Sequence, residues 1–129
     1  MSVAEEIADL MSRYGLEISE KKKSVVKGTH SELPISLVAK IQSAKKTIIV
    51  ELVPEEDLSD VLADMIESGE DVEEAVDSII AELRDVAIEI SRRLEDSGYK
   101  VILKLREGER DIRDLLEEVT EEYSEEVEE

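Results

Sequence analysis

The sequence predicts an α+β fold: a mainly antiparallel sheet of about four to five strands with helices packed on one face. Three observations lead there. Short segments, residues 33–42 the clearest, alternate apolar and less apolar side chains with the two-residue period of a half-buried strand. Longer segments step their apolar residues by threes and fours, the period of an amphipathic helix. Their order along the chain is helix, up to four strands, two helices, strand, helix, which suits strands gathered in one sheet with helices laid against it.

The first helix is expected over about residues 2–14. Ser2 and Glu5 have capping-box spacing, Val3, Ile7, Leu10, Met11 and Tyr14 recur at helical spacing, and Gly15 ends the pattern. In residues 16–28, Leu16 and Ile18 alternate with Glu17 and Ser19, a lysine cluster follows, and the β-branched pair Val25 and Val26 comes next, which reads as a hairpin. Beyond a polar turn, Leu33, Ile35, Leu37, Ala39 and Ile41 point to one face, and Pro34, Ser36, Val38, Lys40 and Gln42 to the other. Ile48, Val50 and Leu52 in the next apolar run face the same way, and the short link between the runs makes them antiparallel partners. The strand at 33–42 is therefore expected to be covered on one side only.

Pro54 closes this run, and Leu58, Val61, Leu62, Met65 and Ile66 give a short helix ended by Gly69. Asp71 and Glu74 repeat the capping spacing and open the longest regular pattern. Val72, Val76, Ile79, Leu83, Val86, Ile90 and Leu94 mark its stripe, widened by Ala75, Ile80 and Ala87, and predict a helix over about 71–97. At the standard rise such a helix is roughly 40 Å long, more than a small sheet is wide, so a further element has to cover its far end. Gly98 occupies a left-handed cap position, after which Tyr99, Val101, Leu103 and Leu105 alternate with Lys100, Ile102, Lys104 and Arg106 in another strand. A turn at 108–110 leads into a last helix carrying Ile112, Leu115, Leu116, Val119 and Tyr123. Residues 1–123 are expected to form a single α+β domain and residues 124–129 an acidic, solvated tail.

Composition narrows the chemistry. Of 129 residues, 41% are hydrophobic, enough for one core, but aromatics are 2%, so packing rests on Ile, Leu and Val. There is no cysteine, which excludes disulfides, thiolate metal sites and cysteine nucleophiles. The longest uncharged stretch, residues 33–39, is too short to span a bilayer, and Glu5 and Glu6 stand where a signal peptide carries positive charge. A cytoplasmic protein without membrane contact is expected. Asparagine is absent and Gln42 is the single glutamine in a chain rich in Glu, Lys, Arg and Ile, a bias of hot environments that points to a thermophilic, archaeal source.

Charge is distributed unevenly. Between Glu20 and Lys46, seven lysines face two glutamates for a local charge of +5, so with a net charge of −19 the rest of the chain carries −24. Lys40 and Gln42 share the outer side of one strand, and Lys100, Lys104 and Arg106 the outer side of another. Placed in one sheet, these five residues define a possible binding face. It would suit RNA, DNA or an acidic protein segment, although exposed strands also use lysines simply to stay soluble. Nucleic acid is the weaker use, because no Phe or Trp can stack on bases and the overall charge repels polyanions.

Catalytic vocabulary is sparse. His30, the single histidine, lies between two strands beside Thr29, Ser31 and Glu32, where it could act as a general base or weak metal ligand but more often is a turn residue. No G-x-S-x-G is present, and the isolated glycines write neither a phosphate-binding loop nor a dinucleotide fingerprint. Adjacent acidic pairs such as Glu73 and Glu74 diverge by about 100° on a helix and do not converge on a metal. No catalytic, cofactor-binding or metal-ligating residue is therefore assigned, and no cofactor is expected.

Ile88 falls outside the apolar stripe of the long helix, which suggests contact with a second copy and a homodimer. The element order resembles the secretion-chaperone-like fold, and the resemblance implies dimeric binding of unfolded protein segments; it rests on order alone and transfers no site. The expectation is a non-enzymatic protein-interaction module, dimeric and chaperone-like. Nucleic-acid binding by a basic sheet face is the alternative, and a small hydrolase or metal enzyme around His30 the second alternative.

Overall fold

The computed structural model describes residues 2–127, with side chains described as far as Tyr123. Helix α1 (Val3–Arg13) is followed by strands β1 (Glu17–Lys22), β2 (Val25–Thr29), β3 (Ile35–Gln42) and β4 (Thr47–Pro54), helices α2 (Leu58–Glu67) and α3 (Val72–Asp96), strand β5 (Lys100–Lys104) and helix α4 (Arg106–Val127). The fold is α+β: among the described residues, four helices pack on a five-stranded mixed sheet. Both expected caps form: Ser2 Oγ accepts the Glu5 N–H and Asp71 Oδ1 the Glu74 N–H, each at 3.1 Å. Gly98 takes φ +91° just past α3, a left-handed turn that lets the chain reverse into β5.

The sheet runs in chain order, β1-β2-β3-β4-β5. Its first three pairings are antiparallel, because short turns join those strands. The β4–β5 pairing is parallel, because α2 and α3 together carry the chain back before β5 begins. Register puts Val26, Ala39, Val50 and Leu37, Leu52 on the same side, and all of these are buried against helical side chains including Ile7, Met11, Leu83 and Ile112. Each fully buried aliphatic side chain contributes about 1.5–3 kcal/mol. Truncating the fully buried Leu83 to Ala would cost about 2–5 kcal/mol, since a cavity adds to the lost transfer energy. The N-terminal half of α3 is met by α4: Arg113 Nη1 reaches Asp77 at 2.8 Å and Arg84 Nη2 reaches Glu109 at 2.9 Å.

Four expectations are corrected. Tyr14, expected within the first helix, is the residue that caps the end of α1 and is 52% exposed. Leu103, on the inward side of β5, is 37% exposed because β5 is an edge strand with no neighbour beyond it. Arg106 and Gly108 belong to α4 and not to a strand and a turn. A Cβ on Gly108 would strike the Leu52 carbonyl, so this glycine lets the first turn of α4 lie directly on the β4 backbone. Ser36, on the outward side of β3, is fully buried despite the open face around it. Helix α4 extends through Val127; the rest of the expected acidic tail lies outside the described residues. Among the described residues no helix is long and apolar enough to cross a membrane.

Candidate functional site

All of the helix-covered core lies on one side of the sheet, so the opposite side is the surface to consider. Alternation within each strand and the pairing register define it row by row. One row runs Val25, Lys40, Ile49, Ile102, and the next Lys27, Val38, Glu51, Lys104. Thr29, Ser36 and Val53 form a third row, Gln42, Thr47 and Lys100 a fourth. Val25, Ile49, Val53 and Ile102 are half-buried and stand apart from the helix-packed core, and Val38 between them is 8% exposed. The face therefore intersperses aliphatic with charged side chains: Lys40 separates Val25 from Ile49, and Val38 lies between Lys27 and Glu51.

Of the five residues expected on this face, Lys40, Gln42, Lys100 and Lys104 do share it. Arg106 does not; it opens α4. The cations are also more neutralised than their sequence clustering suggests. Lys22 pairs with Glu20 at 3.3 Å, Lys27 with Glu55 at 2.6 Å and Lys40 with Glu51 at 3.1 Å. Of the remaining lysines between residues 20 and 46, Lys21 falls on the inward side of β1 opposite Val26, and Lys23, Lys45 and Lys46 sit in or beside turns. Lys100 and Lys104 form no ion pair among the described residues.

A polar chain crosses one end of the face. Ser36 Oγ donates to Glu55 Oε1 at 2.6 Å and lies 2.8 Å from Thr29 Oγ1, which is in turn 3.4 Å from Ser19 Oγ. Through it the buried Ser36 hydroxyl has both its partners, as a buried hydroxyl requires. Burial pushes the Glu55 carboxyl up, but hydrogen bonds from Lys27 and Ser36 and the Lys27 charge outweigh it and hold the group below the ordinary glutamate value. Sequence spacing gave no sign of this network, because Glu55 lies past the end of β4 and reaches back across two strands.

His30 sits elsewhere, in a cleft of about 330 Å³ between α1, the β2–β3 loop and α3, lined by Tyr14, Leu16, Glu82 and Val86. Its Nδ1 accepts the Glu32 N–H at 3.0 Å, so the ring proton is on Nε2 and is donated to Glu82 at 2.6 Å. With both nitrogens engaged, His30 pins the loop to α3. Among the described residues, no three His, Asp or Glu side chains are grouped to hold a metal ion.

No protein-family model, curated protein or solved structure matches this chain.

Proposed function

We propose that this chain is a non-enzymatic protein-interaction module that presents the uncovered face of its sheet to protein segments, in the manner of a small chaperone. The observation that carries the reading is that Val25, Ile49 and Ile102 in one row and Val38 in the next are aliphatic side chains outside the helix-packed core, on a face that no helix covers among the described residues. Pairing of Lys22, Lys27 and Lys40 with glutamates supports a protein partner over nucleic acid, since a polyanion would have to displace those carboxylates. The engaged ring of His30 weighs against a histidine enzyme. Ile88, 38% exposed on α3, supports a homodimer that leaves the sheet face open. A cytoplasmic location and a thermophilic, archaeal origin accord with the composition and complete the reading.

Suppression of aggregation tests it. The protein, added to a heat-unfolded test enzyme, should reduce light scattering in proportion to its concentration, and Ile49→Glu should abolish the effect while leaving the circular dichroism spectrum unchanged. No suppression by the native chain, or full suppression by the variant, would remove the reading. Static light scattering of the protein alone should give twice the chain mass; a strict monomer across concentrations would remove the homodimer.

A further inference from the structure

The two edges of the sheet differ. At β1 the ladder slips between Ile18 and Glu20, and Lys21 and Lys22 stand exposed, the features that blunt an edge against pairing. At β5 the ladder to β4 is regular over five residues, from Lys100 to Lys104. In a parallel pair, alternate residues aim both backbone groups at the neighbour. The Lys100 N–H goes to the Lys46 carbonyl at 2.8 Å, so Lys100, Ile102 and Lys104 face β4, and Val101 and Leu103 aim their N–H and C=O groups away from the sheet. Leu103 is also the strand residue whose large apolar side chain is most exposed.

We infer that the β5 edge takes an extended segment of a partner protein as a sixth strand, and that the segment carries acidic residues flanking an apolar centre. This rests on the interaction-module reading and names the partner's chemistry. Charge complementarity selects the occupant. Lys100 and Lys104 project from the same side of β5 with Ile102 between them, and they form no ion pair among the described residues, whereas Lys22, Lys27 and Lys40 on that side are all paired. Glu51, the register partner of Lys104, is held by Lys40. An added antiparallel strand with Glu opposite each of these lysines and aliphatic residues opposite Val101, Ile102 and Leu103 satisfies the edge backbone, both charges and the exposed Leu103 at once. A second copy of β5 does not. Two-fold antiparallel pairing centred on Ile102 would set Lys100 against Lys104 of the other copy, twice, and like charges directly opposite destabilise a pair.

The test uses the full chain, ¹⁵N-labelled, with a capped peptide of core sequence Glu-Val-Ile-Val-Glu and a control in which lysines replace both glutamates. The acidic peptide should shift and protect the Val101 and Leu103 amides, and the basic peptide should bind at least tenfold more weakly. N-methylation of the acidic peptide on its bonding edge should abolish binding without touching the protein. Lys100→Glu and Lys104→Glu should each weaken the acidic peptide about threefold, in line with exposed cross-strand pairs, and together should reverse the preference. Equal binding of both peptides, binding that leaves the Val101 and Leu103 amides unshifted, no binding of either, or concentration-dependent protection of β5 without peptide would each overturn the assignment. Aggregation suppression by the same preparation separates the two claims: if it persists while the peptide fails, only the β5 assignment falls.

Discussion

Ser36 Oγ and Lys27 Nζ converge on the same oxygen of Glu55, each at 2.6 Å, and the Ser36 side chain is entirely out of water. One carboxylate thus fastens β2 and β3 to the end of β4. Glu55→Ala leaves a buried hydroxyl short of a partner and should cost about 1–3 kcal/mol in urea unfolding, whereas Ser36→Ala, which removes the buried group itself, should cost less.

The same carboxylate makes stability depend on pH. Its value in the folded protein lies below the ordinary one, so its contribution is present above about pH 4.3, the unfolded value, and is lost as pH falls through the lower folded value. Glu55→Gln should remove that component: the difference in stability between native chain and variant should be constant near neutrality and shrink in acid. A difference that grows in acid would contradict the assignment.

Gly108→Ala sets helix propensity against packing. Alanine is the better helix former by about 1 kcal/mol, yet its Cβ would fall on the Leu52 carbonyl, so net destabilisation of about 2 kcal/mol or more is expected from the forced separation of α4 and β4. Thermal unfolding decides the sign, and a stabilised variant would contradict the close approach.

His30→Ala should cost about 1–2 kcal/mol, the loss of two hydrogen bonds that fix the β2–β3 loop to α3. Glu82→Gln keeps an acceptor for Nε2–H and should be nearly neutral. Faster amide exchange at Glu32 and in the loop of the His30 variant, with the rest of the sheet unchanged, would locate the effect.

Much of this architecture was legible in the sequence because its signals are local. Alternation in residues 33–42 gave β3 and both its faces, and the four-three spacing from Val72 to Leu94 gave α3 with Ile88 outside its stripe. What was not legible depends on neighbours. Glu51 and Glu55, which neutralise Lys40 and Lys27, come from outside the lysine-rich stretch, so counting charge along the chain overstated the basic face. Leu103 alternates like a core residue, and only its place at the sheet edge leaves it in water. Leu105 and Arg106 continued the alternation of β5 two residues past its end at Lys104, because α4 begins at Arg106 with Gly108 seated on β4.

Methyl NMR with an unfolded client protein distinguishes binding at the uncovered sheet face from binding elsewhere on the fold. The methyls of Val25, Val38, Ile49 and Ile102 should shift and broaden on client addition, while those of Leu37, Ile48 and Val50 on the helix-covered side stay in place. Client binding that perturbs the covered side or the helices and leaves Ile49 and Ile102 unmoved would contradict binding at that face.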